Sequence, residues 1–578
     1  MGALRELKKR FSEALRGFVD EPETYLNQLR RSGAPQFGDY QANLAMPLAK
    51  QLRKSPQEVA RTLLDRVKLD DLCQSVNVAG PGFINLRLHD RWLAEELAHA
   101  VVDPRLGVPQ VAEPRTCVVD YSAPNIAKPM HVGHIRSTVI GDCLCRMLRF
   151  VGHRVISDNH IGDWGTQFGM LIYGWRHFAD PIAYQRDPLA ELGRIYRHVN
   201  QLAEQDPQVA QKVLEETARL HAGDPENVAL WREFVPRCLA ELDALYRRLG
   251  VQFDYTLGES FYHDRLPDLV DELLQRGIAR ESEGAICIFL DGFEAPMIIR
   301  KKDGAFLYAT TDLATLVYRV NTWHPDCILY VVDHRQSLHF RQLFTAANLL
   351  GYKALQLEHV SFGTILGEDG RPFRTRAGDT VALEDLLEEA VRRAREVVDA
   401  NDDAKPDGPE LSEVDRARVA EVVGIGALKY ADLSQNRTSD YVFSFDKMLA
   451  MTGNTGTYMQ YAYARVRSIF AKAGLNADSL RQEGAAILLT TPEERALALE
   501  LTRFDEAIEL ALTDWRPNQL TAYLFDLANK YSAFYENCPV LKAESPALRQ
   551  SRLLLCDLTA RTIQKGLELL GIGVVEKM

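Results

Sequence analysis

Apolar residues recur at spacings of three and four from Ile135 to Val151. Ile140, Cys143, Leu144, Met147, Leu148 and Val151 fall on one face, which predicts a helix that Gly152 ends. Before it, TCVVDYS at 116–122 is short and continuously apolar, the pattern of a buried strand, and RVISDNHIG after it begins another. Strand, loop, helix, strand is the building unit of a parallel, doubly wound sheet. CILYVVD at 327–333 and LEHVSFGTIL at 357–366 carry the same strand signature further along.

Two stretches interrupt this alternation. A charged helical pattern covers 186–249, and APMIIRKKDGAFLYATTD at 295–312 is predicted as a hairpin. The expected organisation is a Rossmann-like α/β nucleotide-binding domain over 111–411, with an insertion at about 175–300. Residues 1–110 mix short helical patterns with turn signals such as RRSGAPQFGDY and AGPGFINLRL, which suits a small α+β domain. The Pro-rich DPRLGVPQVAEPR at 103–115 marks its boundary. From 412 to 578 the period is almost wholly helical, ending in LLLCDLTARTIQKGLELLGIGV, so an all-α domain is expected there.

Three domains fit a chain of 578 residues and 65.2 kDa with 46 % hydrophobic and 26 % charged residues. No apolar run approaches the roughly 20 residues of a membrane span, and no membrane partner is expected. The start, MGALRELKKRFSEALRGF, reads as neither secretory signal nor transit peptide. Nine cysteines without a CxxC pair point to a reducing, cytoplasmic setting, with neither a disulfide scaffold nor a structural zinc. The net charge of −12 argues against a nucleic-acid partner, but it is uneven. Residues 1–68 hold 13 Lys and Arg against 8 Asp and Glu, a local +5, which leaves −17 for the remainder. Such an end is either a solvated helical face or a docking surface for a polyanion.

SAPNIAKPMHVGH at 122–134 lies between the first strand and its helix. A helix N-terminus presents unpaired N–H groups and partial positive charge to phosphate. Gly133 lets a nucleotide approach the backbone, while His131 and His134, three residues apart, share one side of the first turn and suit donation to a phosphoryl group. A capped helix with two half-exposed histidines satisfies the bare motif equally well. A metal site does not, because no carboxylate or cysteine is suitably spaced.

The wider segment DYSAPNIAKPMHVGHIRST, Asp120 to Thr138, closely resembles the signature of arginyl-tRNA synthetases, class I enzymes whose HIGH motif stands here as HVGH. FGDYQAN (37–43), GDWGTQFG (162–169), FLYATTDLA (306–314), YVVDHRQSLHFRQ (330–342), FRTRAGD (373–379) and GNTGTYMQYAYARVR (453–467) resemble further blocks of that family, in its order, over essentially the whole chain. The resemblance implies ATP-dependent formation of arginyl-adenylate and transfer to the terminal adenosine of tRNA(Arg). It implies ATP as substrate with Mg2+, and a monomer. It further implies that Asp120, Tyr308 and Asp312 face the substrate side chain, where carboxylates suit a guanidinium. Asn125, Gln336 and His134 would hold the α-amino and carboxylate end, with Ala123 beside them. Read alone, Asp312 is equally a helix N-cap and Tyr308 a hairpin residue.

The class usually carries a KMSKS loop, and FRTRAGD lacks its second lysine. The family reading gives that task to Lys128, with ATP held by Lys128, His131, Gly133 and His134. Arg374 and Arg376 stay in the loop as phosphate partners or as a solvated pair. No GxDQ ribose signature is present; VVDHRQ stands in its place. Tyr458, Tyr461 and Arg465 recur at i, i+3 and i+7, on one helical face that is either core or a stacking surface for unpaired bases. The resemblance favours tRNA and adds Asn454, with Phe37 and Tyr40 as candidates at the basic end. A different nucleotidyltransferase, or a noncatalytic tRNA-binding descendant of a synthetase, are the competing readings. Neither needs the Asp120 and Asp312 pair.

Overall fold

The computed structural model describes residues 2–373, 381–406 and 408–578. Its contacts group the chain into two compact units, 111–450 with 569–572, and 1–110 with 451–568 and 573–578.

The first unit is built on five parallel strands, side by side in the order Gln356–His359, Cys327–Tyr330, Thr116–Asp120, Arg154–Asn159 and Tyr255–Thr256. From Thr116–Asp120 the chain proceeds outward on one side and later resumes on the other, which is the switch point where open sheets bind ligands. Val118, Val119, Ile328 and Leu329 are fully buried, so these strands read as continuous apolar runs. The signature helix, Val132–Phe150, buries the predicted face together with Ile135 and Val139. Gly141 lets it lie on the sheet: a Cβ there would stand 2.2 Å from the ring of Tyr121. Gly152, at φ +100°, ends the turn that follows the helix.

Helices Pro188–Gln205, Pro207–His221 and Pro225–Leu249 form the charged helical stretch of the expected insertion. Each begins with Asp-Pro, whose aspartate (Asp187, Asp206, Asp224) accepts first-turn N–H groups. The chain then returns to the central sheet, where Tyr255–Thr256 pairs with Asp158–Asn159. It leaves again for a three-stranded antiparallel sheet, Ala279–Ser282, Ala285–Ile288 and Met297–Arg300.

The predicted hairpin at 295–312 forms only in part. The chain reverses at Lys301–Ala305 and makes one bridge, Arg300 to Phe306, but Met297–Arg300 pairs with Ala285–Ile288 instead. From Tyr308 the chain is a helix to Trp323, the pocket helix. Thr310 explains the switch: its hydroxyl accepts from Leu307 N and donates to Ile299 O, closing the first turn against the strand. Asp312 therefore lies inside this helix and is not its N-cap.

Glu413–Leu433, the first helix beyond the expected boundary at 412, belongs with the sheet unit. Gly424 places its backbone against Ala390 and Val391 of helix Leu383–Asp403, where a Cβ would come within 2.8 Å. In the second unit a four-stranded antiparallel sheet, ordered Leu29–Arg31, Tyr40–Ala42, Phe83–Leu88, Cys73–Ala79, joins the helices that begin at Gly456. Arg495 grips Asp39 at 2.7 and 3.1 Å and Asp90 at 2.6 Å. Arg31 reaches Glu506 at 3.0 Å and Lys8 reaches Glu509 at 2.9 Å, so part of the basic excess of residues 1–68 is neutralised internally.

Candidate active site

Asp120, Asp158 and Tyr330 lie in register at the carboxyl ends of three adjacent strands of the central sheet, and the loop after Asp120 leaves from that edge. Ser122 and Ala123 adopt left-handed backbone, φ +71° and +44°. Hydrogen bonds over-determine this strained turn: Ser122 N donates to Ser137 Oγ at 2.8 Å, and Ala123 N donates to Asn159 Oδ1 at 3.0 Å. Asn125 bridges to Gly162, where a Cβ would fall 2.0 Å from Asn125 Oδ1. GDWGTQFG thus begins with a glycine because the asparagine occupies its space.

His131 caps the signature helix. Its Nδ1 accepts from Gly133 N at 3.1 Å, and His134 Nδ1 accepts from His131 N at 3.1 Å. The ring centroids are 3.9 Å apart. With both Nδ1 atoms accepting, each neutral ring carries its proton on Nε2. Burial, with the Lys128 and Arg335 cations, lowers the pKa of His131. Burial, His131 and Lys128 pull that of His134 down to about 3. The pair is therefore neutral at pH 7 and offers two Nε2–H donors beside the Lys128 ammonium.

Residues flanking the FRTRAGD loop dock on this motif. Val132 N donates to Val381 O at 3.0 Å and Leu383 N donates to Met130 O at 2.9 Å. Arg374 and Arg376 lie outside the described residues. The short turn His334–Gln336, capped by Asp333, places Arg335 near His131 and leaves Gln336 exposed.

Tyr308 and Asp312 share a face of the pocket helix, one turn apart. Asp312 Oδ2 is 2.5 Å from His339 Nε2, and although burial lowers the His339 pKa, this bond and the aspartate's charge raise it overall. Glu259 adds a carboxyl group on this side. Burial, partly offset by His160, and the like charges of Asp163 and Asp312 push it up to about 7. Tyr308, largely exposed, has its phenol pKa raised by partial desolvation and by Glu259 and Asp312. Asp120 is buried, and its Oδ2 accepts from Arg319 Nη2 at 2.7 Å. Sequence reasoning missed Glu259, Arg319 and His339. Glu259 stands in LGESFYH, which no motif marks, whereas His339 is inside YVVDHRQSLHFRQ and three residues from Gln336.

Comparisons with known proteins agree on the family. Residues 96–445 match the model for the class I (R) tRNA synthetase catalytic domain, 5–88 the arginyl tRNA synthetase N terminal domain and 459–578 the DALR anticodon binding domain. The chain belongs to the arginyl-tRNA synthetase family. Relatives named arginine--tRNA ligase from Rhodopirellula baltica and Hahella chejuensis are 47 % and 45 % identical, each with 99 % of both chains covered. Arginyl-tRNA synthetase structures from Plasmodium falciparum and Thermus thermophilus superpose with TM-scores of 0.84 and 0.83. They are 29 % and 28 % identical, with 99 % of this chain and 99 % and 100 % of theirs covered.

In this synthetase the candidate tRNA residues divide by burial. Tyr458, Tyr461 and Arg465 lie on helix Gly456–Ala473, as the spacing predicts. Tyr461 is exposed, Arg465 sits 4.3 Å over the ring of Tyr535, and Tyr458 is half-buried with its hydroxyl 3.3 Å from Ser532 Oγ. Asn454 is exposed in the turn before the helix, and Phe37 is exposed at 42 %. Tyr40 differs: it is fully buried, and its hydroxyl donates to Glu506 at 2.5 Å. No face of that ring is open to a base, which gives Tyr40 a packing role in place of the expected RNA contact.

Proposed function

We propose that the chain joins L-arginine to tRNA(Arg) in two steps, as a monomer in a reducing cytoplasm. Arginine's carboxylate attacks the α-phosphorus of ATP, releasing pyrophosphate and forming arginyl-adenylate. A hydroxyl of the terminal adenosine then attacks the arginyl carbonyl and releases AMP. The observation that carries this reading is the His131–His134 pair, whose Nδ1 atoms are consumed by backbone N–H groups, leaving two Nε2–H donors for phosphate oxygens. Lys128 supplies positive charge beside them, and Gly133 permits close approach of the nucleotide.

The arginine side chain extends toward Asp120, Asp312, Glu259 and Tyr308, where acidic acceptors suit its planar fork. Asn125, Gln336 and His134 hold the amino-acid end, next to Ala123. Mg2+ arrives with ATP. Among the described residues no group of three or more His, Cys, Asp or Glu is placed to hold a metal ion. Tyr461, Tyr458, Arg465, Asn454 and Phe37 contact tRNA. All nine cysteines are free and buried.

Arginine-dependent pyrophosphate exchange, run with and without tRNA, tests the reading. Exchange that requires arginine, followed by charging of tRNA(Arg), is the expected result. Absence of exchange under both conditions, with tRNA still bound, would instead identify a noncatalytic binding protein.

A further inference from the structure

Directly below the proposed arginine pocket the protein already holds a guanidinium of its own. Arg319 is fully buried on the pocket helix, seven residues and two turns beyond Asp312, and so on the same face. Its Nε and Nη2 donate to Asp158 Oδ2 at 3.0 and 2.8 Å, and Nη2 also donates to Asp120 Oδ2 at 2.7 Å. Its cationic carbon lies 5.6 Å from the ring centre of Tyr330. Asp120 Oδ1, by contrast, is buried without a hydrogen-bond partner. Asp158 Oδ1, Arg319 Nη1 and the Tyr330 hydroxyl are likewise buried without a partner. Two carboxylates share one resident cation, so the cluster keeps one uncompensated negative charge, and its Asp120 Oδ1 is an unused acceptor at the carboxyl end of the central strand. A buried acceptor left in that state is costly unless a ligand or water completes it.

We infer that Arg319 is a positioning residue for substrate arginine. It fixes Asp120 through Oδ2 so that Oδ1 is presented to the incoming guanidinium. The inference rests on the assignment of Asp120 to the arginine pocket. A guanidinium suits the task better than an ammonium, because its planar fork spans both aspartates at once while a lysine would satisfy them as a point charge. Asp158 anchors the device from the neighbouring strand: burial raises its pKa, and the Arg319 charge opposes that rise.

The experiment is a double-mutant cycle on the full-length enzyme, read as KM for arginine, KM for ATP and kcat in pyrophosphate exchange, with tRNA affinity and thermal melting alongside. Arg319→Lys should raise KM for arginine by about 10-fold or more, the scale of one weakened charge-assisted bond, while KM for ATP and tRNA affinity move less than about 2-fold. Asp120→Asn should raise the same KM, and the double variant should be no worse than Asp120→Asn within about 3-fold, because the two residues act through one contact. Multiplicative effects, or an unchanged KM for arginine in Arg319→Lys, overturn the inference and leave the pocket standing. An unchanged KM in Asp120→Asn overturns the pocket assignment and the inference with it. If Arg319→Lys does not fold, Asp158→Asn carries the test, since it removes the charge behind two of the three bonds that hold the guanidinium. A raised KM for arginine at constant KM for ATP supports the inference, and an unchanged KM rejects it.

Discussion

His131 N holds the tautomer of His134 and Gly133 N that of His131: the ring of each histidine accepts a backbone N–H through Nδ1, with centroids 3.9 Å apart, so both Nε2–H groups are available. The pKa of each is lowered, which keeps both rings neutral through the physiological range. Activation should therefore show no loss from imidazolium formation near pH 6.5, and a rate midpoint there that tracks these rings by NMR would contradict the assignment. In the unfolded chain both rings protonate near about 6.5. The unfolded state then binds more protons, and stability should fall as pH drops below about 6.5, by up to about 1.4 kcal/mol per pH unit and ring. Denaturant titrations of wild type and His134→Gln between pH 5 and 7 measure that slope.

Glu259 should make arginine binding release a proton. With its carboxyl group pushed up to about 7 in the free protein, it is half protonated at neutral pH and becomes an acceptor only when ionised. KM for arginine should rise as pH falls below about 7, and calorimetry in two buffers should detect proton release. Glu259→Gln should flatten that dependence and weaken arginine binding by about 1.5 to 3 kcal/mol above pH 7.5. Equal KM profiles for variant and wild type would remove Glu259 from the pocket.

Gly162→Ala tests Asn125 without touching it. The new methyl group would meet Asn125 Oδ1 at 2.0 Å, so the asparagine must move. KM for arginine should rise several-fold or more, with KM for ATP little changed. Gly165→Ala, whose methyl would meet the end of the Gln167 side chain, serves as the control in the same loop.

The sheet was legible because its strands are buried on both faces and read as apolar runs, and the signature helix because Ile140, Cys143, Leu144, Met147 and Leu148 keep one period. The hairpin at 295–312 misled because its turn is real; what redirects the chain is Thr310 closing a helical turn against Ile299, a contact outside any local pattern. Tyr40 misled for a similar reason. A tyrosine in a basic segment suits RNA, yet its hydroxyl is spent on Glu506, 466 residues away. Arg319 and Glu259 gave no signal at all, since their partners Asp120, Asp158 and Asp312 are assembled from separate strands and helices.

Tyr40 and Tyr461 should respond oppositely. Tyr40→Phe removes the donor to a buried carboxylate and should lower stability by about 1 to 3 kcal/mol with tRNA affinity unchanged. Tyr461→Ala, at an exposed position, should leave melting unchanged and weaken tRNA binding by about 1 to 3 kcal/mol if a base stacks there. Filter binding with wild-type and anticodon-altered tRNA separates the two. A Tyr461→Ala variant that binds both RNAs as wild type does would exclude stacking.

Lys128 is proposed to take over the task of the lysine that FRTRAGD lacks. Its charge reaches both histidines, lowering the pKa of each. Pro129 restrains its backbone, and Lys128 N donates to Asn125 O at 3.4 Å. As arginine's carboxylate attacks, negative charge accumulates on the departing pyrophosphate, and a fixed cation there stabilises the transition state more than the ground state. Lys128→Ala should lower pyrophosphate exchange by about 10²-fold or more, with arginine and tRNA binding little altered. The same variant should raise the pKa of His131 and His134, because one of the charges depressing them is gone, and NMR titration reads this independently of activity. A histidine shift without a rate loss would leave Lys128 near the phosphates but dispensable, and the task would pass to Arg374 or Arg376, with Arg374→Ala and Arg376→Ala as the next variants to assay.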